Sequence, residues 1–243
     1  MRVPRIYSTQ RLDTPVIELE PEPSRHVARA LRMTPGDALT LFNGFGGEYR
    51  CTIISIDKKS VRVSIDSHEA VNNESSLPVH LGIALSRGER FDWVIQKATE
   101  LGVYAIHPLF TENTGVKLAG DRAEKKHRHW QQIAISACEQ CGRNTLPSIE
   151  LPKPIGTWLD ASSAALKLVM HTSVKNSLST YSVPDSIDLL VGPEGGFSEN
   201  EISAAEAKGF NAIQFGPRIL RTETAPIAAL AVLQAQWGDF NSL

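Results

Sequence analysis

Two short stretches bring together residue types suited to group-transfer chemistry. They are Leu189-Leu190-Val191-Gly192-Pro193-Glu194-Gly195-Gly196-Phe197-Ser198 and Ile213-Gln214-Phe215-Gly216-Pro217-Arg218-Ile219-Leu220-Arg221-Thr222-Glu223-Thr224. Glycine lacks a Cβ, so it permits positive φ and lets a ligand lie against the backbone. Proline fixes φ and stiffens each loop. Glu194 and Glu223 can accept a proton or a hydrogen bond, and Arg221 can stabilise developing negative charge. The same residues also suit plain turns, with a surface Arg and carboxylates held at helix N-termini by the macrodipole. Two such loops with charged neighbours favour a ligand site over a pair of ordinary turns.

Each loop follows an apolar run that reads as a buried parallel strand, and each leads into a helix. Strand, Gly-Pro turn and helix is how an α/β sheet builds a site at its carboxyl edge. Ser198 with Glu201 three residues on predicts a capping box and a helix start. The second helix is expected to begin near Thr222 or Thr224, with Pro226 tolerated in its first turn. No G-x-G-x-x-G follows a strand, no G-x-x-x-x-G-K-[ST] occurs, and neither loop carries a Lys. The expected ligand is therefore nucleoside-like and lacks a polyphosphate.

The pattern G-P-E-G-G-F-S-x-x-E at 192–201, followed by G-x-x-I-L-R-x-E-T-A at 216–225, resembles the SPOUT superfamily of knotted methyltransferases. The closer resemblance is to the RsmE family of 16S rRNA (uracil-N3) methyltransferases. Ile95-Gln96-Lys97-Ala98-Thr99-Glu100-Leu101-Gly102-Val103, Glu139-Gln140-Cys141-Gly142-Arg143-Asn144 and Arg25-His26-Val27-Ala28-Arg29-Ala30-Leu31-Arg32-Met33 also look like that family. The resemblance spans nearly the whole chain, in family order. It implies a SPOUT-type knotted α/β methyltransferase domain over 73–243, with a carboxyl-terminal trefoil knot, behind a PUA-like β-barrel over 1–72. It implies S-adenosylmethionine as cofactor, 16S rRNA or the 30S subunit as partner, and a homodimer. Pattern alone gives no knot, since true knots are rare. A SPOUT enzyme acting on a ribose 2′-OH or another base, and a non-catalytic RNA-binding assembly protein, are the competing readings.

By that resemblance Gly192, Gly196, Phe215, Gly216, Ile219, Leu220, Thr222 and Thr224 hold the cofactor, with Met170 and His171 as a further wall. Ile219 and Leu220 would sandwich the adenine, although an Ile-Leu pair also suits plain core packing. The enzyme must hold donor and acceptor in line, and the uracil N3 proton must leave before N3 attacks. Arg221 could stabilise charge on O2 or O4. Glu223 or Glu194 could accept the proton, and the sequence does not choose between them. His171 is a further base candidate, but a lone His is more often structural. Arg5, Arg25, Arg29, Arg32, Arg87 and Arg143 are the RNA-contact candidates, with Glu139 and Gln140 beside Arg143. Arg143 follows Gly142 at a helix end and could equally be a cap. The i, i+4, i+7 spacing of Arg25, Arg29 and Arg32 puts them along one face of a helix, where they could line a phosphate stripe.

The 243 residues carry a net charge of −2, with 42% hydrophobic and 21% charged residues, as an ordinary globular protein does. Charge divides as +1 over 1–72, +1 over 73–145 and −4 over 146–243, so no segment is strongly basic. Basic residues cluster only locally, as at Arg2, Arg5 and Arg11. No run of 18 apolar residues exists and the amino terminus lacks an apolar signal core. Three cysteines, Cys51, Cys138 and Cys141, argue against a disulfide framework. Cys138 and Cys141 have C-x-x-C spacing near His127 and His129, yet lack a second pair, so no metal is expected. A cytoplasmic protein without a membrane partner is the expectation.

The first ~70 residues read as β-rich. Strands are expected at 16–19, 38–42, 50–56 and 61–65, with a helix at 23–32 and turns at Asn43-Gly44 and Gly46-Gly47. Residues 69–77 are polar and aperiodic, the best linker candidate. Beyond them strands near 79–85, 103–109, 166–171, 188–191 and 212–215 alternate with helices near 88–101, 121–141, 198–208 and 223–237. That alternation indicates a mostly parallel sheet covered by helices. In the last helix Ile227, Ala228, Leu230, Ala231, Leu233 and Trp237 give broad apolar coverage, which suggests a second neighbour.

Overall fold

A computed structural model describes residues 3–58, 60–171 and 178–242. Arg2 lies outside the described residues. The chain forms two compact units, one running to Glu74 and including Ile135–Leu146, the other made of Ser75–Ala134 and Pro147 onward.

In the first unit, β1 (Arg5–Tyr7), β2 (Val16–Glu18), β3 (Ala38–Phe42), β4 (Glu48–Ile56) and β5 (Val61–Glu69) form one sheet in the order β1-β3-β4-β5-β2. β1 runs parallel to β3 and the other pairs are antiparallel. Alternation drives the pairing: Val61 and Val63 are buried on β5 while Arg62 between them is exposed. Buried Ser24 ties helix to sheet, donating Oγ to the Leu19 carbonyl at 2.9 Å and accepting the Val61 N–H at 3.1 Å.

The helix expected at 23–32 is two shorter pieces. α1 (Pro21–Arg25) opens on a proline and passes into a π-helical turn over His26–Ala30, closed by Leu31 N–H to the His26 carbonyl at 3.0 Å. Arg32 lies beyond, at φ +53°. The wider π turn breaks the 3.6-residue period, so Arg25, Arg29 and Arg32 do not share one α-helical face. All three are exposed.

Arg5 and Arg143, expected as RNA contacts, both have their guanidiniums engaged inside this unit. Arg5 pairs with Glu48, donates to the Arg143 carbonyl at 3.1 Å and to Asn144 Oδ1 at 2.5 Å, and stacks over Phe42. Arg143 donates Nε and Nη2 to Glu74 at 2.9 and 2.6 Å, its side chain 7% exposed. A buried, hydrogen-bonded pair cannot be broken cheaply for an outside anion. Glu139 likewise faces inward: it accepts the Tyr7 N–H at 3.0 Å, and burial holds its carboxyl above the usual range. The segment expected as a linker is tied down, with Asn73 donating to the Gly142 carbonyl and Asn144 to the Val71 carbonyl.

The second unit contains β6 (Val79–Ala84), α2 (Arg90–Glu100), β7 (Ala105–Phe110) and the first part of α3 (Asp121–Cys141). After them come β8 (Ser148–Ile149), β9 (Lys153–Pro154), α4 (Ile155–Ala161), β10 (Leu166–Met170), β11 (Ile187–Val191), α5 (Glu199–Ala207), β12 (Asn211–Ile213) and α6 (Thr224–Trp237). From Ile135 on, α3 belongs to the first unit. The sheet order is β12-β10-β11-β6-β7-β8, every pair is parallel, and β9 also pairs with β7.

β11 is buried at every position, as a parallel strand covered on both faces must be. One face packs against α2 and α6 through residues such as Val94, Ile95, Leu230 and Leu233. The other packs against α4 and α5 through Trp158, Leu159 and Ala205. Gly82 on β6 makes room for Trp158, since a Cβ there would meet the indole at 2.6 Å. His127 meets the Ile149 carbonyl at 2.7 Å, and His129 meets Asp92 at 2.8 Å. No helix among the described residues is long and apolar enough to cross a membrane.

Candidate active site

β10, β11 and β12 are adjacent and parallel, so Met170, Val191 and Ile213 end at one edge of the sheet. Both glycine loops leave from that edge. The capping box expected after the first is present: Glu201 N–H donates to Ser198 Oγ at 3.2 Å, and Ser198 N–H to Glu201 Oε2 at 2.9 Å. The other oxygen of Glu201 accepts the Glu112 N–H at 2.9 Å, which anchors the neighbouring loop. After the second loop α6 begins at Thr224, with Pro226 in its first turn.

Three contacts set the loop geometry. Thr222 donates Oγ1 to the Gly192 carbonyl at 3.0 Å, joining the two loops. The Phe197 ring lies against Gly192, where a Cβ would come within 3.0 Å of it. Gly196, at φ +72°, closes a turn by donating its N–H to the Pro193 carbonyl at 2.9 Å; an L side chain would be strained there.

Between the loops lies a cavity of about 630 Å³. Its wall includes Met170, His171, Gly192, Glu194, Gly196, Phe215, Ile219, Leu220, Arg221, Thr222 and Glu223, so most of the expected site residues come together. Gly216 and Thr224 do not line it. Gly216, at φ +71°, turns the second loop, and Thr224 opens α6 with its N–H on the Arg221 carbonyl. Ile219 is 84% exposed, whereas Leu220 is half-buried and packs on the core, so only Ile219 stands clear of it.

The charges are unequal in their freedom. Glu194 Oε1 accepts from Arg90 Nη1 at 2.9 Å. Glu223 Oε2 is buried and has no hydrogen-bond partner among the described residues. A buried, unpaired carboxylate oxygen is costly unless a ligand completes it. Arg221 is exposed at the cavity wall. Arg90 and Arg218 also line the cavity, beyond the residues expected from the sequence. Arg218 sits inside the second motif, whereas nothing in the sequence links Arg90 to the loops. Arg87 lies outside this cavity, exposed, with Nε on the Gly115 carbonyl at 3.3 Å.

The walls suit S-adenosylmethionine. Glycine backbone and apolar Met170, Phe215 and Leu220 offer a nucleoside-sized slot, and Glu223 offers an unsatisfied acceptor.

Comparison with known proteins agrees. Residues 73–234 match the RNA methyltransferase domain and 19–66 the RNA methyltransferase PUA domain. The ribosomal RNA small subunit methyltransferase E of Buchnera aphidicola is 36% identical over 99% of this chain and 96% of its own. A Legionella pneumophila methyltransferase with bound S-adenosylmethionine superposes with a TM-score of 0.96 at 44% identity, covering 98% of this chain and 100% of that one. The Neisseria gonorrhoeae ribosomal RNA small subunit methyltransferase E, bound to the same molecule, gives 0.94 at 39% identity, with the same coverage. With both domains matched and near full-length relatives at this identity, the chain belongs to the RsmE family of S-adenosylmethionine-dependent ribosomal RNA methyltransferases.

Proposed function

We propose that the protein methylates N3 of a uridine in 16S rRNA of the small subunit, acting in the cytoplasm as a homodimer. Residues 1–72 supply RNA docking and 73–243 the methyltransferase. The observation that carries this reading is Glu223, which lines one cavity with Arg221 and both glycine loops and has a buried carboxylate oxygen without a hydrogen-bond partner among the described residues.

S-adenosylmethionine supplies an electrophilic methyl group on a sulfonium. The two loops, bonded through Thr222 and Gly192, hold the donor, while Leu220, Phe215 and Met170 wall its adenine. Glu223 takes the N3 proton; N3 then forms the new N–C bond as the sulfonium S–C bond breaks. Arg221 stabilises the charge that builds on O2 or O4. Glu194, neutralised by Arg90, is the poorer proton acceptor. Exposed Arg25, Arg29 and Arg32 favour contact with the RNA backbone. The reading includes the trefoil knot, in which the carboxyl-terminal segment threads a loop and brings the glycine loops together.

The test is mass spectrometry of nucleosides from unmethylated 30S subunits treated with enzyme and donor. 3-Methyluridine is the expected product. A 2′-O-methyl nucleoside, or none at all, would overturn the assignment.

A further inference from the structure

A second cavity, also about 630 Å³, adjoins the first. Arg90 and Glu194 line both cavities, so their ion pair is a shared wall. The pair is 44% and 42% exposed, and an ion pair at that exposure is worth only ~0–1 kcal/mol. It can open for a better partner.

The rest of the second cavity suits an anion held against backbone. Arg87 lies flat on Gly115, where a Cβ would meet the guanidinium at 2.8 Å. Its Nε donates to the Gly115 carbonyl at 3.3 Å, and neither of its Nη atoms has a partner among the described residues. Asn113 donates Nδ2 to the Gly196 carbonyl at 2.9 Å, so the cavity is fastened to the same loop that shapes the donor site. Glu89 and Glu194 are the acidic groups lining it. Against these stand Arg87 and Arg90, with Arg218 and Arg221 in the adjoining cavity.

We propose that this second cavity binds a backbone phosphate of the acceptor RNA beside the target nucleotide, through Arg87 and Arg90. Arg90 exchanges Glu194 for the phosphate as the base enters. Guanidinium forks match phosphate oxygens in geometry and charge. A base turned out of its stack brings its flanking phosphates toward the enzyme surface. The inference rests on the reading of the protein as an RNA methyltransferase, and it specifies where the substrate is gripped.

The experiment uses the full-length enzyme with unmethylated 30S subunits. Wild type, Arg87→Ala, Arg87→Gln and Arg90→Ala are compared for KM, for kcat and for the salt dependence of RNA binding. Donor affinity of the Arg87 variants is measured by calorimetry. Each variant is expected to raise the KM for RNA about tenfold, the loss of one charge-assisted contact. Each should flatten the salt slope by about one unit. The Arg87 variants should bind the donor as wild type does. Wild-type RNA affinity and slope in both Arg87 variants would overturn the inference while leaving methylation intact. Equal losses of donor and RNA affinity would overturn it too, because that pattern marks a disturbed loop. If wild type itself methylates no RNA, the functional reading falls and this inference with it.

Discussion

The Thr222 hydroxyl donates to the Gly192 carbonyl at 3.0 Å, so the second glycine loop is bonded directly to the first. Thr222 is 6% exposed and leads into α6, whereas Gly192 directly follows β11. One part-buried bond thus couples two loops thirty residues apart in the sequence, and both of its residues line the cavity.

Thr222→Val keeps the shape and removes the donor. The lost bond is worth about 1 kcal/mol, so donor affinity should fall about fivefold. Calorimetry with S-adenosylmethionine reads this directly, and circular dichroism should show an intact fold. Unchanged affinity would mean that the loops hold their spacing without this bond.

The two glutamates are separable by their partners. Glu223→Gln removes the unpaired carboxylate and should slow single-turnover methylation by about 10² to 10⁴. Glu194→Gln frees Arg90 but touches no proton transfer, so its rate should stay within about tenfold of wild type. The opposite ranking would move the base role to Glu194.

What the sequence made legible was local. Gly-Pro loops after apolar runs, and Ser198 with Glu201, declare themselves within a few residues, and the structure has them where expected. What it hid depends on distant partners. Arg5 and Arg143 look like free cations until Glu48, Glu74 and Asn144 are seen around them. Arg90 looks like an ordinary first-turn residue until folding brings Glu194 to it. The pattern over 23–32 fits an α-helix, but Arg32 at positive φ and the π turn before it are invisible to periodicity. β8 and β9 are too short to show alternation, and α4 escaped with them. Cys138, in the C-x-x-C pair, is simply a buried helix residue whose thiol burial pushes up to about 12.

His107 on β7 gives a pH signature. Both of its ring nitrogens are buried without hydrogen-bond partners among the described residues, and burial, aided by nearby Lys153, lowers its pKa to about 4. Between the unfolded value of 6.5 and about 4, the unfolded chain binds a proton that the folded one refuses. The contribution of His107 to stability is therefore complete above pH 6.5 and falls as pH drops toward 4. Denaturant melts across this range should show the loss in wild type and a shallower one in His107→Leu. Parallel curves would assign the acid sensitivity elsewhere.

α6 buries Leu230, Leu233 and Trp237 within its own unit but leaves Val232 39% exposed, with Ile227, Ala228 and Ala231 only half-buried. An apolar face of that kind suits a two-fold partner. Light scattering at micromolar concentration should give twice the 26.6 kDa chain mass. Val232→Arg should shift it toward the monomer. A wild type that is monomeric and fully active would refute a dimer that shares its active sites.

Arg221 lies at the cavity wall directly after exposed Ile219 and half-buried Leu220, and its carbonyl accepts the first N–H groups of α6 at 2.9 Å. The backbone is therefore anchored while the guanidinium is exposed at the cavity. That combination suits a donor aimed at charge that appears only during methyl transfer. Losing one such donor costs on the order of 10² to 10³ in rate. Arg221→Ala should slow single-turnover methylation of 30S subunits by about that factor while donor affinity holds, because only the transition state loses an interaction. Arg221→Lys should recover only part of the rate if the fork spans two uracil atoms, since a single ammonium cannot. Equal rates for wild type, Arg221→Ala and Arg221→Lys would make Arg221 a helix anchor and leave Glu223 to carry the chemistry.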